Sequence, residues 1–371
     1  MKTTAAVAVG PGQPFELRDL ELDDLAPTEV RVALVATGVC HTDAVVRDQV
    51  YPTPLPAVLG HEGAGVVEAV GSAVTSVRPG DHVILTVNSC GRCTQCLTGS
   101  PMYCVNCYTL NFGGRRPDGS TTLTDGGKEI SSPFFGQSSF ATHANVAERA
   151  VVKVDNDIPL ELAGPLGCGL MTGAGAVLNS LRPRAGSSIA IFGAGAVGSA
   201  AILAALVAGC TTVVAVDIHE SRLEMATELG ATHVVHSSKG SPVDAVMEIT
   251  GGRGVDVALD ATGVPSVLRQ AADSLAIRGT VGLVGAAAPG TEVSFETGLS
   301  ITRGWSLKMI IEGDSVPQDF VPRLVQLWRQ GRFPFEKLVR SYPFEQINEA
   351  FADSEAGTTI KPVLLFPRRS L

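Results

Sequence analysis

The chain has 371 residues, of which 45% are hydrophobic and 18% are charged. This length exceeds what one hydrophobic core usually serves, and the composition is typical of a globular α/β protein, which excludes disordered and fibrous classes. A formal net charge of −9 argues against a nucleic-acid partner, because such a partner requires a basic face to neutralise its phosphates. We therefore expect two domains and a small-molecule ligand.

Targeting signals and membrane spans are not evident in the sequence. The apolar run at the N-terminus, Met1 to Val9, is too short for a secretory signal peptide. The longest near-apolar segment, Ala200 to Cys210, is about half as long as a bilayer requires and follows a glycine motif that usually opens a helix. We expect a cytoplasmic protein with no membrane partner, in which the eight cysteines bind metal or act as reactive thiols instead of forming disulfides.

Two patterns of secondary structure follow one another along the chain. Up to about residue 155, short β-rich runs such as Val30–Val35 and Ala64–Val70 are separated by Pro and Gly turns, which predicts a partly open barrel. From about 170 to 309, apolar strands alternate with helical stretches, which predicts a parallel doubly wound sheet. The predicted strands of this sheet are Ser188–Phe192, Thr212–Val216, Val255–Leu259 and Thr280–Val284.

The C-terminal segment is predicted to return to the first domain. It contains an amphipathic helix near Phe320 to Gln330 and a last strand at Pro362–Phe366. We therefore assign residues 1–169 and 310–371 to a catalytic domain and residues 170–309 to a cofactor domain.

Four cysteines lie within fifteen residues in the pattern Cys90-x2-Cys93-x2-Cys96-x7-Cys104. Four thiolates suit a closed tetrahedral zinc site, and such a site is structural because it leaves no position for a substrate. An iron–sulfur cluster is the alternative interpretation. The nearby Cys107 is interpreted as an ordinary loop cysteine, with a spare thiol as the alternative.

A catalytic metal site needs three protein ligands and one open position. The candidates are Cys40, His61 and Cys168, each beside a turn that contains glycine. Taken singly, each residue is also typical of a buried core position.

A glycine-rich turn in the second half predicts a dinucleotide site. Gly193-Ala194-Gly195-Ala196-Val197-Gly198 fits G-x-G-x-x-G, follows an apolar strand and precedes an Ala/Leu-rich helix whose N-terminus would face the phosphates. Asp217, at the end of the next strand, favours NAD because a carboxylate binds the ribose hydroxyls and repels a 2′-phosphate. Arg222 nearby leaves NADP as an alternative, and a glycine turn with a solvated aspartate is the non-functional interpretation.

In combination, these motifs resemble those of the zinc-dependent alcohol dehydrogenases of the medium-chain dehydrogenase/reductase superfamily. The signature G-H-E-x2-G-x5-G-x2-V is matched by Gly60-His61-Glu62, Gly65, Gly71 and Val74, and the other motifs follow in the family's order. The resemblance implies a GroES-like barrel with a structural-zinc lobe, a Rossmann cofactor domain and two zinc ions per chain. It also implies a homodimer or homotetramer that pairs through an edge strand near Ser300 to Ile310.

The resemblance also implies roles at the catalytic zinc. Cys40, His61 and Cys168 would bind the ion, and Glu62 would approach it while ligands exchange. Asp43 would orient His61, and the Thr42 hydroxyl would contact the alcohol and pass its proton outward. The implied reaction interconverts a primary alcohol and its aldehyde by hydride transfer to NAD.

Further cofactor contacts come from the same resemblance. His41 matches the position that usually supplies a cation to the cofactor pyrophosphate. Lys361 matches a second basic position near the C-terminus. Thr172 and the segment Val284-Gly285-Ala286 match positions that line the nicotinamide, with plain packing as the alternative for Thr172.

The sequence differs from the best-known members of the family, the animal and plant enzymes, at one position of the proton path. In those enzymes a histidine ends the chain of groups that carries the substrate's proton outward, and Val45 stands at that position here. The aryl (benzyl) alcohol dehydrogenase branch also lacks this histidine. The chain also resembles that branch in residues 51–59 and 311–317. Phe134 and Phe135 are at a pocket-lining position, so we expect an aromatic or allylic alcohol, although both residues are equally typical of a core.

Two other functions share parts of this sequence pattern. A formaldehyde dehydrogenase acting on a glutathione or mycothiol adduct would need cations at the pocket mouth, which Arg115 and Arg116 would supply, or these are solvated loop arginines. A non-catalytic NAD-binding protein would lack a catalytic ligand. The presence of Thr42 and all the candidate zinc ligands argues against it.

Overall fold

The computed structural model describes residues 1–367 and divides into two compact units. Unit 1 contains Met1–Cys168, Val316–Val325 and the chain from Val339 onward, and unit 2 contains Gly169–Ser315 and Gln326–Leu338. Residues 368–371, which the prediction assigned to the first domain, lie outside the described residues.

This division differs from the predicted one in the segment after residue 309, which the prediction gave wholly to the first domain. Residues 310–315 and 326–338 belong to unit 2. Within that unit the Arg332 guanidinium donates to the carbonyl oxygen of Val207 at 3.3 Å, and the rings of Trp328 and Phe335 are 6.0 Å apart. The helix Pro317–Arg329 begins in unit 1 and ends in unit 2, and its sequence pattern does not change at this boundary.

Residues 1–168 form most of the first unit. The helices are α1 (His41–Arg47), α2 (Thr94–Leu97), α3 (Cys107–Phe112) and α4 (Leu160–Ala163). The strands are β1 (Lys2–Ala8), β2 (Glu16–Leu22), β3 (Glu29–Gly38), β4 (Ala57–Val58), β5 (Gly63–Val70), β6 (His82–Leu85), β7 (Leu123–Asp125), β8 (Lys128–Ile130), β9 (His143–Ala147) and β10 (Val151–Val154).

Residues 169–315 alternate between helix and strand. The helices are α5 (Gly169–Gly175), α6 (Ala196–Ala208), α7 (Glu220–Glu228), α8 (Pro242–Ile249), α9 (Pro265–Asp273) and α10 (Ser300–Arg303). The strands are β11 (Ser188–Phe192), β12 (Thr212–Asp217), β13 (His233–His236), β14 (Val255–Asp260), β15 (Leu275–Leu283) and β16 (Ser306–Met309). The remaining elements are α11 (Pro317–Arg329), β17 (Val339–Pro343), α12 (Ile347–Glu355) and β18 (Lys361–Leu365).

Two mostly antiparallel sheets build unit 1 around one apolar core. One sheet has the order β4-β1-β2-β7-β8, and the other has the order β10-β6-β5-β3-β18-β17, with β9 also paired to β3. The end of β3 lies beside the start of β5, where Thr37 is opposite Gly63, and beside β18, where Gly38 is opposite Val363. Residues just after β3, just before β5 and at the start of β18 are therefore brought together.

Unit 2 contains a parallel sheet with the order β13-β12-β11-β14-β15-β16. Its central strands are buried on both faces, as expected for apolar strands that helices cover. The strand order reverses between β11 and β14, and ligands of such sheets bind at the carboxyl ends of the strands at that point. The predicted combination of a GroES-like barrel with a Rossmann sheet is confirmed.

The edge strand predicted near Ser300 to Ile310 is present but shorter than that range. The first part is the short helix α10, and only Ser306–Met309 forms the edge strand β16. The Glu296 carboxylate accepts hydrogen bonds from the backbone N–H groups of Gly298 and Leu299, which favours a turn at this point. Gly304, with φ of 57°, ends the helix.

A membrane-crossing element is also absent from the part of the chain that the structure describes. Within residues 1–367, no helix combines the length and the apolar character that a bilayer span requires.

Candidate metal centres and nucleotide-binding turn

The first site is a mixed cluster of Cys40, His61, Glu62 and Cys168, hereafter the mixed cluster. One sulfur, nitrogen or carboxylate oxygen from each residue lies within 4.8 Å of the others. Cys40 follows β3 and precedes α1, and His61 and Glu62 directly precede β5. The pairing of β3 with β5 therefore brings together residues that are far apart in the sequence.

The His61 imidazole is held in one orientation by Asp43. Asp43 is fully buried, and its Oδ1 lies 2.9 Å from Nδ1 of His61 and accepts the Gly60 N–H at 3.1 Å. His61 is also fully buried, and its Nε2 has no hydrogen-bond partner among the described residues. A buried nitrogen without a partner costs free energy unless a ligand binds it, so this geometry fits a metal ion.

The electrostatics of the mixed cluster favour a Cys40 thiolate, which is the form that binds metal, and a protonated His61 imidazole, which would release its proton when a metal binds. The hydrogen bond with Cys168, together with the charges of His61 and Lys361, holds the pKa of Cys40 well below the ordinary thiol value. Burial alone would lower the pKa of His61, but Asp43 and Cys40 outweigh it and raise the pKa. One imidazole nitrogen, two thiols and a carboxylate are a donor set that suits zinc.

Glu62 forms a buried ion pair with Lys361. The Lys361 ammonium donates to both carboxylate oxygens of Glu62, at 2.9 and 2.8 Å, and to the Val39 carbonyl oxygen at 3.1 Å. Burial is the largest influence on Glu62 and raises its pKa to about 7, although Lys361 opposes this shift. A side chain on Gly38 would collide with the Glu62 carboxylate, so glycine at this position leaves room for the pair.

Lys361, which the resemblance implies is a cofactor-binding residue, has a buried ammonium group that donates its hydrogen bonds to protein groups. Its side chain is 3% exposed, and Glu62 and Val39 accept its hydrogen bonds. The pair joins residues that are 299 positions apart, and no local pattern in the sequence indicates it.

The second site is the four-cysteine cluster of Cys90, Cys93, Cys96 and Cys104, whose sulfur atoms also lie within 4.8 Å of one another. Backbone N–H groups of Cys96 and Val105 lower the pKa of Cys93 to about 6, whereas burial raises that of Cys104 to about 12. Cys107 does not belong to the four-cysteine cluster. It lies on α3, and its sulfur is 3.6 Å from Nδ2 of Asn111. Four thiols with no other donor fit a closed metal site.

The glycine-rich turn connects β11 to α6, as predicted. Gly193 follows β11, Gly195 is the N-cap residue of α6, and Ala196, Val197 and Gly198 form its first turn. A Cβ on Gly198 would collide with the carbonyl oxygen of Gly193, so only glycine permits this close approach.

Asp217 links the end of β12 to this turn. Its carboxylate accepts backbone N–H hydrogen bonds from Ala194 at 2.7 Å, Ile218 at 2.8 Å and His219 at 2.9 Å. A guanidinium nitrogen of Arg222 lies 3.8 Å from the same carboxylate. The acidic group predicted at the ribose position is therefore fixed beside the glycine turn.

The other predicted cofactor residues occupy varied environments. His41 is exposed at the first position of α1, and Thr42 beside it is half-buried. The Thr172 hydroxyl donates to the Glu312 carboxylate at 3.0 Å, a partner that the sequence did not indicate. Val284, Gly285 and Ala286 follow β15, and the first two donate backbone hydrogen bonds to the Asp260 carbonyl oxygen.

Both predicted pocket phenylalanines pack against His61. The centroid of its ring is 5.8 Å from that of Phe134 and 4.5 Å from that of Phe135. Both phenylalanines are buried, at 0% and 5% exposure. Two buried aromatic rings therefore pack against the His61 imidazole of the mixed cluster.

The two arginines considered for a thiol-adduct substrate already have partners. Arg116 is buried and forms ion pairs with Asp23 and Glu29, both at 2.7 Å. Arg115 forms a surface pair with Glu129 at 2.9 Å. Arg116 thus has a structural role, which removes one of the two cations on which the formaldehyde dehydrogenase interpretation depended.

Comparisons with known proteins identify the family to which both parts of the chain belong. Residues 26–156 match the family described as "Alcohol dehydrogenase GroES-like domain", and residues 196–329 match "Zinc-binding dehydrogenase". Geraniol dehydrogenase of Castellaniella defragrans is 46% identical to this chain, covering 98% of the chain and 97% of the relative.

Two solved structures are similar over nearly the full length. An alcohol dehydrogenase zinc-binding domain protein from Burkholderia ambifaria is 55% identical, with a TM-score of 0.97 and coverage of 99% of this chain and 100% of that chain. Benzyl alcohol dehydrogenase from Acinetobacter calcoaceticus is 48% identical, with a TM-score of 0.96 and the same coverage.

The chain belongs to the zinc-dependent alcohol dehydrogenase family of the medium-chain dehydrogenase/reductase superfamily. It is an oxidoreductase that acts on alcohols.

Proposed function

We propose that the enzyme oxidises an aromatic or allylic primary alcohol to its aldehyde with NAD, and catalyses the reverse reaction. The observation that carries the proposal is the buried Nε2 of His61, which has no hydrogen-bond partner within residues 1–367 and so is available to a metal ion. The ring that carries this atom packs against the rings of Phe134 and Phe135.

Two zinc ions per chain form part of this proposal. Cys40, His61 and Cys168 would hold one ion, with Glu62 as a further donor that Lys361 now engages. When bound there, zinc supplies a Lewis acid that lowers the pKa of an alcohol hydroxyl. The four cysteines Cys90, Cys93, Cys96 and Cys104 would hold the second ion in a structural role.

The protein's own residues would orient the alcohol and move its proton. Asp43 fixes the His61 ring, and Phe134 and Phe135 exclude water from it. Thr42, two residues after Cys40, would accept the hydroxyl proton and pass it outward. Val45 has no group that continues this transfer, so the route beyond Thr42 differs from that of the best-known members.

NAD is the proposed hydride acceptor. The glycine turn at 193–198 offers backbone N–H groups to the pyrophosphate, and the Asp217 carboxylate favours free ribose hydroxyls over a 2′-phosphate. His41 would contribute a pyrophosphate contact, and Thr172 with Val284, Gly285 and Ala286 would line the nicotinamide.

The substrate class is supported by two independent observations. The rings around His61 favour an aromatic or unsaturated group by edge and face contacts. The named relatives at 46% and 48% identity are a geraniol dehydrogenase and a benzyl alcohol dehydrogenase, which are named for allylic and benzylic alcohols.

Assembly and location are also proposals. The edge strand β16 and its surroundings carry exposed apolar residues, among them Ile301 and Met309 at 82% and 59% exposure. Pairing of this edge with a second copy would produce a homodimer, and two such dimers a homotetramer. A cytoplasmic location remains a prediction from the sequence.

The test is turnover of an alcohol panel by the purified enzyme with its metal retained. NADH formation would be followed with benzyl alcohol, geraniol and 1-butanol, and again with NADP as the acceptor. We expect NAD-dependent oxidation in which benzyl alcohol and geraniol have the higher kcat/KM. Faster turnover with NADP, or a preference for 1-butanol, would contradict the cofactor and substrate assignments respectively.

A further inference from the structure

The turn that follows β16 has a strained backbone. Glu312, Gly313 and Asp314 are consecutive and have φ values of 50°, 65° and 50°. Glycine adopts a positive φ freely, whereas a glutamate there is uncommon and persists only where surrounding contacts hold it. Strained backbone of this kind is concentrated at functional sites. We call residues 312–314 the left-handed turn.

The left-handed turn packs directly against α5. A Cβ on Gly313 would collide with the carbonyl oxygen of Met171, and a Cβ on Gly175 would collide with the carbonyl oxygen of Gly313. The two backbones therefore touch, with glycine on both sides of the contact. Between these points, the Thr172 hydroxyl donates to Oε2 of Glu312 at 3.0 Å. The Glu312 carboxylate is thus fixed at the surface of α5.

Other contacts hold the left-handed turn independently of this carboxylate. Oδ2 of Asp314 accepts the Ser180 hydroxyl at 2.7 Å and lies 3.1 Å from the Lys308 ammonium. The Asn179 amide donates to the carbonyl oxygen of the middle residue of the turn at 3.2 Å. The serine and the asparagine belong to a π-helical segment that continues α5, a helix type that is frequent at functional sites. The side chain of Glu312 can therefore be altered while the turn remains anchored.

Two contacts within unit 2 place this arrangement at the ligand-binding edge of the parallel sheet. A Cβ on Gly173 would collide with the carbonyl oxygen of Val197, so α5 abuts the first turn of α6, which contains the end of the glycine motif. The Ile310 N–H donates to the carbonyl oxygen of Leu283, the last residue of β15, at 2.9 Å. The segment that leads into the left-handed turn therefore begins at the carboxyl ends of the strands, where such sheets bind ligands.

We propose that Glu312 is a positioning residue for the nicotinamide end of the cofactor. Its carboxylate fixes the Thr172 hydroxyl and places a negative charge near the ring, which strengthens the binding of cationic NAD⁺ relative to neutral NADH. This inference rests on the proposed function, in which Thr172 lines the nicotinamide. It gives the left-handed turn a role in distinguishing the two redox states of the cofactor.

The expected effect comes from the nicotinamide ring, which is positively charged in NAD⁺ and neutral in NADH. A ring in contact with Thr172 would lie within about 7 Å of the Glu312 carboxylate, because atoms in contact are about 4 Å apart. This separation is shorter than the Debye length of about 8 Å at physiological ionic strength. Thr172 is buried and Glu312 is half-buried, so solvent screens the attraction only in part. The carboxylate would thereby limit competition from NADH during alcohol oxidation.

The test measures the dissociation constants of NAD⁺ and NADH for the unmodified enzyme, Glu312→Gln and Asp314→Asn. Glu312→Gln keeps an acceptor for the Thr172 hydroxyl but removes the charge. Asp314→Asn is the matched control, because it removes a carboxylate from the same turn and at the same φ, but one that contacts Ser180 and Lys308. Binding is followed by calorimetry for NAD⁺ and by fluorescence for NADH, without an alcohol, so that turnover does not contribute.

For Glu312→Gln we expect the Kd of NAD⁺ to rise about three- to tenfold, the size of one partly screened charge interaction, while the Kd of NADH stays unchanged. The KM for NAD⁺ in alcohol oxidation should rise in parallel, with little change in kcat. Asp314→Asn should leave the ratio of the two dissociation constants as it is in the unmodified enzyme.

Three results would overturn the inference. Equal weakening of NAD⁺ and NADH in Glu312→Gln would leave the residue a structural role only, and unchanged values would leave it no role in binding. The same change of ratio in Asp314→Asn would assign the effect to the turn as a whole. If Glu312→Gln does not fold, Glu312→Asn replaces it, because asparagine tolerates a positive φ, and an unchanged ratio there would equally contradict the proposal.

Failure of the proposed function has a different signature. If the unmodified enzyme binds neither NAD⁺ nor NADH, the proposed function fails and this inference fails with it. If it binds both and oxidises alcohols, any of the three results above overturns the role of Glu312 alone.

Discussion

The two candidate metal clusters differ in how the chain assembles them. The four-cysteine cluster comes from one short loop, and three of its members, Cys90, Cys93 and Cys96, are only half-buried. The mixed cluster draws residues from the ends of several elements and buries His61 and Glu62 completely. Local spacing suffices for a closed thiolate site, whereas a site with mixed donors needs sheet register, orienting groups and buried counter-charges.

The largest expected effect concerns the hydroxyl of Thr42, the residue proposed to accept the substrate's proton beside the mixed cluster. Thr42→Val should lower kcat for alcohol oxidation by about 10²- to 10⁴-fold, because it removes the first group that accepts the substrate's proton. Thr42→Ser should restore most of the activity, and metal content should not change in either variant. Thr94→Val, which changes an exposed threonine next to Cys93, is the matched control and should have no effect on turnover. Full activity of Thr42→Val would remove Thr42 from the proton path.

The next effect concerns the buried ion pair of the mixed cluster. Lys361→Met removes the buried cation that balances the Glu62 carboxylate, which should lower the free energy of unfolding by about 3–5 kcal/mol in urea titrations. The double variant Glu62→Gln/Lys361→Met should recover part of this loss. Lys153→Met breaks a pair with Asp81 in which Lys153 is half exposed, and it should cost about 1 kcal/mol or less. Equal losses in the two lysine variants would show that burial of the pair is unimportant.

A smaller effect tests the orientation of His61. Asp43→Asn should weaken metal binding at the mixed cluster by about ten- to hundredfold, because the carboxylate fixes the imidazole and raises its basicity. Chelator titration should then remove the two metals in well-separated steps, with the four-cysteine metal retained longer. Asp48→Asn changes an exposed carboxylate at the end of α1 and should leave both steps unchanged. The opposite order of release would contradict the assignment.

The smallest effect concerns the thiols of the metal-free four-cysteine loop. Backbone hydrogen bonds lower the pKa of Cys93 to about 6, so its thiolate persists near neutral pH and is lost only as the pH falls through that value. Burial raises the pKa of Cys104 to about 12, so this thiol stays protonated near neutral pH. Maleimide labelling followed by peptide mass spectrometry should therefore modify Cys93 first. Earlier labelling of Cys104 would refute this order.

Much of the fold was predictable because its central strands are apolar and continuous. The predicted strand Ser188–Phe192 coincides with β11, and the strand predicted at 255–259 with β14. The prediction failed at Ser300–Arg303, which is a short helix, because the Glu296 carboxylate accepts backbone hydrogen bonds in the turn that precedes it. The hydrophobic periodicity of a sequence shows which residues are apolar, but it gives no information about hydrogen bonds from side chains to the backbone.

The candidate site also has a part that was predictable and a part that was not. The resemblance grouped Cys40, His61, Glu62 and Cys168, and the structure brings these four together. The partner of Lys361 was not predictable, because the pairing of β18 with β3 sets it and neither strand carries a signal for it. The ring of Phe112 lies 5.1 Å from that of Phe135, and this contact was not predictable because α3 is too short to show a periodic pattern.

The most direct test of the account compares Cys40→Ser with Cys93→Ser, with metal content and benzyl alcohol turnover measured on the same samples. We expect each variant to lose one metal ion per chain. Cys93→Ser should retain turnover at temperatures where it remains folded, although its melting temperature falls, whereas Cys40→Ser should fold but have no measurable turnover. Turnover by Cys40→Ser, or its complete loss in a folded Cys93→Ser sample, would contradict the division between a catalytic and a structural metal site.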